Sequence, residues 1–226
     1  LQQIAQAKDF PLLVAAEMTT TWRGELTDLL CYGFDPNQGA LSELARDVMQ
    51  RQQANTREVY DHLLRQGLVF PPEAEAELTE ILAAPSARQP PDLVAMVKKY
   101  SEAVTGKMLL EAGLSFVSSD PAAVVEAVHQ GGGVCLIAHP GRTDGYNTFD
   151  VELLDQFRQA IPIDGFEVYH PDHTPEQIAM YRDYAQKHDL LTSSGSDSHG
   201  SDGQLPIKYP AELSRKLLER LGIEVG

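Results

Sequence analysis

Carboxylates and imidazoles are the side chains that hold Zn, Mn and Fe, and in this chain several of them stand directly after short apolar runs. Glu17 follows Val-Ala-Ala, His139 follows Cys-Leu-Ile-Ala, His170 follows Glu-Val-Tyr, and Asp197 with His199 follow Thr-Ser-Ser-Gly-Ser. Two residues apart in an extended stretch, Asp197 and His199 are expected to point to one side of the backbone and to share a metal cluster. Gly195 and Gly200 flank them and permit backbone conformations closed to other residues. Asp-x-His is common by chance, so its weight comes from the other positions. A carboxylate such as Glu17, at the end of an apolar run, needs a cation or hydrogen-bond donors to offset its desolvation. After His139, the turn Pro140-Gly141-Arg142 is expected to hold a guanidinium at the same mouth, where its planar fork suits a phosphate.

His170 is expected to line this site, and His173 carries less weight because Asp172 or Thr174 can simply cap the next helix. Glu167 has two readings: it orients a ligand from behind, or it pairs with a neighbouring base inside its strand. His62, His129 and His188 fall in predicted helices and receive no role.

The elements that must position these residues can be read from periodicity. Apolar runs at 11–20, 28–34, 132–140, 164–171 and 190–200 read as strands buried on both faces, as in a parallel sheet or barrel. Residues 120–130 and 174–188 carry helical patterns, opened by Asp120-Pro121 and by Thr174-Pro175-Glu176. Helix and strand thus alternate in the latter half, the pattern of an α/β barrel or doubly wound fold. In such folds the loops at the carboxyl ends of the strands converge on one concavity, which is where the candidate ligands stand. Residues from about 40 to 112 have helical period throughout and read as an insertion with a solvated face. Gly131-Gly132-Gly133 precedes a strand, so it reads as a helix-ending turn rather than a phosphate cradle.

With 226 residues, 42% of them apolar, the chain can build one large α/β domain. Its formal charge of −15 opposes a polynucleotide groove, yet bound divalent cations would let it handle a small anion. No stretch approaches the roughly 18 consecutive apolar residues of a membrane span, and the opening lacks a leader pattern. Membrane partners are therefore not expected. Cys31 and Cys135 each lie in an apolar run and read as buried thiols of a reducing compartment, which favours the cytoplasm. A G-x-S-x-G elbow, a Walker loop, a G-x-G-x-x-G opening a helix and a CxxC are all missing, which removes the common alternatives.

The strings GGGVCLIAHPGR, GFEVYHPDHTPEQ and SSGSDSHG, in this order, resemble the PHP family, named for polymerase and histidinol phosphatase domains. The resemblance covers residues 5 to about 208 and is nearest to small PHP phosphoesterases with a helical insertion. It implies a distorted seven-stranded (β/α) barrel at 1–36 and 113–226, with a helical subdomain at 37–112. It further implies up to three divalent metal ions (Mn, Fe or Zn) and hydrolysis of a small phosphomonoester or phosphodiester. Glu17, His139, Asp197 and His199 match metal ligands, and Arg142 occupies a place suited to substrate phosphate, with His170 beside it.

The departures are equally specific. The family's opening His-x-His and its Asp-His pair, on the first two barrel strands, have no counterpart here. Asp28 and Asp92 stand where similar proteins carry histidine, in DLLCYGFD and PPDLV; either aspartate can substitute as a ligand or mark a degenerate site. Two accounts follow: further residues upstream of Leu1, which is the favoured one, or a natural variant lacking two strands, which would serve as a binding or assembly scaffold. Because open sheet edges are normally covered, paired or blunted, the expectation is either an open barrel sealed by a neighbour or an N-terminal region lost to disorder.

Overall fold

The computed structural model describes residues 2–9, 12–84, 88–198 and 205–226. It divides into two compact units, Leu1–Ser42 with Ser118–Gly226, and Glu43–Val117; the sequence reading had set the limits at 36/37 and 112/113. No helix among the described residues is long and apolar enough to cross a membrane.

The first unit begins with helix α1 (Gln2–Ala7) and is built on one sheet of β1 (Ala15–Trp22), β2 (Glu25–Tyr32), β3 (Val134–Ile137), β4 (Gly165–Tyr169) and β5 (Leu191–Ser194), paired in that order. All five apolar runs form strands. The first two differ from expectation in direction, because β1 and β2 are an antiparallel hairpin and β2 also runs antiparallel to β3. The cause is local: Arg23 and Gly24 have φ of 55° and 89°, the left-handed pair that closes a two-residue hairpin. Only β3, β4 and β5 are parallel, linked by helices α7 (Val151–Ala160) and α8 (Pro175–Lys187), after α6 (Pro121–Gln130) has led into β3.

The sheet does not close among the described residues. It is a mixed, five-stranded open sheet.

Strand parity sorts the side chains onto two faces. Leu29, Cys31, Cys135, Ile137, Phe166 and Val168 share the outer face and are all at most 1% exposed. Helices α6 and α8 pack there, with the Phe166 ring set against Tyr181 and Tyr184. On the inner face Leu30, Tyr32, Val134, Leu136 and Leu191 meet Leu217 and Leu221, carried by the C-terminal helix α9 (Arg215–Arg220) and the residue after it. Further along the same inner face the apolar side chains give way to Glu17, Asp28 and Glu167, which the register places in this parity.

The second unit is helical: most of α2 (Ala40–Arg65), then α3 (Pro72–Ala83), α4 (Gln89–Tyr100) and α5 (Gly106–Glu111). Val59, Leu63, Leu78, Leu93, Met96 and Leu109 form its core. The buried Gln52 amide accepts from the Val117 N–H and donates to the Ser115 carbonyl, tying the exit strand of chain to α2.

Gly165 is where β4 and β5 approach most closely, since a Cβ there would lie 1.9 Å from the Leu191 carbonyl oxygen. Backbone cannot yield as a flexible side chain would. Gly165→Ala is therefore expected to cost more than about 3 kcal/mol, measured as a lowered midpoint in urea unfolding.

Candidate metal and phosphate site

β3 ends at Ile137, and Ala138 N–H makes the last ladder bond, to the Asp28 carbonyl (2.9 Å). His139 comes next, with φ of 26°, a left-handed conformation that non-glycine residues adopt at a cost. Its N–H donates to Glu167 Oε2 (2.9 Å) and its carbonyl accepts from Arg142 N–H (3.0 Å), so the strained residue is held from both sides. The ring is buried, with Nε2 3.1 Å from Glu17 Oε1 and 3.5 Å from Asp28 Oδ2.

Those two carboxylates share a face because Glu17 pairs with Leu30, and Leu30 lies two residues from Asp28. Burial pushes the His139 imidazolium towards neutrality, but Asp28 and Glu17 prevail and carry its pKa up to about 10. Burial likewise works against the Asp28 carboxylate, and His139 beside it holds the group below its usual range. Asp28 Oδ1 remains buried with no hydrogen-bond partner among the described residues. One atom each from Glu17, Asp28 and His139 lie within 4.8 Å of one another, and among the described residues this is the group so arranged that it can hold a metal ion.

Behind His139 the site is built by β4 and β5. Glu167 is 5% exposed and its carboxyl is raised to about 7, first by burial and then, in the same direction, by the charges of Glu17 and Asp197. It reaches the main chain of His139, not the ring, which neither sequence reading of Glu167 had named. Gly195 follows β5 because any Cβ there would lie 2.3 Å from Glu167 Oε1.

His170 follows β4 directly, and its ring centroid is 5.7 Å from that of His139. Its Nδ1 accepts the Asp172 N–H (3.2 Å), which assigns the proton of the neutral ring to Nε2. That Nε2 is buried without a partner among the described residues. Burial, then the charge of His139, lowers its pKa to about 4. His173 is also buried and held below its usual value, chiefly by burial.

Part of the Arg142 fork is filled. Nε and Nη2 donate to the two Asp144 oxygens at 2.6 and 3.1 Å, while Nη1 lies 3.9 Å from Asp197 Oδ2. Tyr146 lies under the guanidinium (4.2 Å) and edge-on to His139 (5.3 Å). It gave no signal in the sequence, since a lone tyrosine in a loop has no periodicity.

Asp197 has φ of 45°, so the extended stretch that was to align it with His199 has ended before it. His199 and Gly200 lie outside the described residues. Asp92 stands in the first turn of α4, in the other unit. Asp28, the other replaced histidine, is the one that meets His139.

Removing the acceptor of the His139 N–H should be visible in stability alone. Glu167→Ala leaves that N–H buried and unpaired and is expected to cost about 1–3 kcal/mol, whereas Glu167→Gln keeps an oxygen in place and retains most of it. Urea unfolding of both variants checks this.

No protein-family model matches the chain. It is 27% identical over 192 residues to a phosphoribosyl 1,2-cyclic phosphate 1,2-diphosphodiesterase of Eggerthella lenta, covering 81% of this chain and 70% of that protein. It is 27% identical over 208 residues to a 5'-3' exoribonuclease of Haemophilus influenzae (89% and 74% covered). A 3',5'-nucleoside bisphosphate phosphatase of Chromobacterium violaceum is 27% identical over 217 residues (92% and 75% covered). Its fold matches a crystal structure described as a metal-dependent phosphoesterase of Bifidobacterium adolescentis with a TM-score of 0.73 at 21% identity, over 97% of this chain and 80% of that one. By sequence and fold together, the chain is similar to proteins named as phosphoesterases and phosphatases of the PHP type.

Proposed function

We propose that the protein hydrolyses small phosphoesters, monoesters or diesters of nucleotide or sugar-phosphate type, at a divalent-metal site built on Glu17, Asp28 and His139. One observation carries the reading: a buried imidazole held between two carboxylates, one of which keeps a buried oxygen without a partner among the described residues. Ligand atoms each about 2.1 Å from one ion lie no more than about 4.2 Å apart, so the triad needs little adjustment to hold Mn, Fe or Zn. Asp197 and His199 would extend the ligand set towards the three ions that the resemblance implies. When bound, a divalent ion supplies Lewis-acid charge for the phosphoryl oxygens and acidifies the attacking water.

The chain's own residues have separable tasks in this reading. Arg142 binds the phosphate through the N–H groups that Asp144 leaves over, with Tyr146 setting the plane of its guanidinium. His170, neutral with its proton on Nε2, donates a hydrogen bond to a phosphoryl oxygen. Glu167 keeps His139 in place through its main chain. Residues 37–112 are read as an insertion within the barrel-type domain. Cytoplasmic residence belongs to the same proposal, supported by Cys31 and Cys135, free thiols buried opposite each other on β2 and β3. The net charge argues for small substrates over polynucleotides, although two relatives bear the name of an exoribonuclease.

The test uses the intact gene product, titrated with Mn²⁺ and assayed for phosphate release from nucleotides and sugar phosphates. His139→Ala is expected to lower Mn²⁺ affinity by about 10–100-fold or more and to abolish release. An intact protein that neither takes up metal nor releases phosphate would instead support the scaffold reading. In the same assay Arg142→Ala is expected to raise KM about tenfold. His170→Phe is expected to lower kcat by about two orders of magnitude through loss of its donor.

A further inference from the structure

We infer that His173 and Gln177, at the start of α8, are positioning residues for the phosphate-binding turn, holding the Gly141 peptide by its two polar ends so that Arg142 presents its guanidinium correctly. This rests on the phosphoesterase reading of the site. His173 Nε2 accepts the Gly141 N–H (3.1 Å), and Gln177 Nε2 donates to the Gly141 carbonyl (3.2 Å). Each contact has its polarity set by a second bond. His173 Nδ1–H donates to the Val168 carbonyl (2.9 Å), which leaves Nε2 as the acceptor. Gln177 Oε1 accepts the Thr174 N–H (2.8 Å) in the capping box of α8, which turns the amide nitrogen towards Gly141.

The clamp completes a turn whose main chain has no loose group. His139 N–H goes to Glu167 and its carbonyl to Arg142 N–H; the Pro140 carbonyl accepts from Phe149 N–H; the Arg142 carbonyl accepts from Thr148 Oγ1. Within that set only Gly141 is held by α8. His139 is anchored independently by Glu167 and by the end of β3, whereas Arg142 lies just beyond the clamp, so loosening it should disturb phosphate binding and spare the metal ligand. Gly141 itself leaves room for the device, since a Cβ there would stand 2.6 Å from His173 Cδ2 and 2.8 Å from Gln177 Nε2.

The experiment compares Gln177→Glu, His173→Phe and Gly141→Ala in the intact protein. Gln177→Glu keeps the acceptor for Thr174 N–H but turns an oxygen on the Gly141 carbonyl, and Gly141→Ala attacks the clamp from the opposite side. Each is expected to raise KM and weaken inorganic phosphate binding by about tenfold while Mn²⁺ affinity and kcat change less than about twofold. Amide hydrogen exchange in the peptide spanning residues 139–142 should quicken in all three. Unchanged phosphate affinity and unchanged exchange in Gln177→Glu and Gly141→Ala would overturn the assignment. A wild-type protein that binds no phosphate, with Arg142→Ala equally silent, would overturn the phosphoesterase reading and the positioning role with it, even if the exchange data show the clamp intact.

Discussion

An imidazole with 3% of its side chain exposed can lie between two carboxylates only if charge repays what burial takes away. That exchange at His139 is the constraint on which the rest of the inner face depends. It requires Glu17 from β1 and Asp28 from β2 to reach the same point as a residue just past β3, and the antiparallel register of those strands delivers them there. It also leaves one Asp28 oxygen buried and unanswered. A group of donors that is nearly but not fully satisfied is what a resident cation would complete.

Holding His139 in a left-handed conformation needs support from the backbone outward. Glu167 takes its N–H, the turn to Arg142 takes its carbonyl, and α8 reaches the next free peptide at Gly141. Glycine recurs where these supporting side chains approach the chain: Gly195 beside Glu167, and Gly141 beside His173 and Gln177. Such placements are steric before they are catalytic. They fix atoms within a few tenths of an ångström, the tolerance that binding sites demand.

The sheet itself explains why an open form can carry this site. Its parallel half, β3 to β5, supplies the carboxyl ends that bear His139, His170 and Asp197. Its antiparallel half supplies the two acids from strand interiors. The apolar part of the inner face is covered by Leu217 and Leu221, so the sheet need not close on itself to bury Leu30, Val134 and Leu136. The hairpin is not legible in the sequence because its turn, Arg23-Gly24, lacks the usual asparagine or aspartate signal, and the apolar run stops at Thr20.

Five strands, the helical region and the capped starts of α6 and α8 were legible in the sequence, as was the proximity of Glu17 and His139. These follow from periodicity and from polar residues that follow apolar runs, which a chain carries locally. Tertiary structure alone decided that Asp28 meets His139, that Glu167 grips a main-chain N–H, that Asp144 occupies part of the Arg142 fork, and that Asp197 leaves the extended conformation. Each of these depends on register, turn geometry or side-chain packing; Glu17 and His139, for instance, are 122 residues apart. Composition and spacing say which groups will stand at the rim of the sheet. Only the folded backbone says which atoms face one another, because hydrogen bonds and ion pairs act over a few ångströms of space and are blind to distance along the chain.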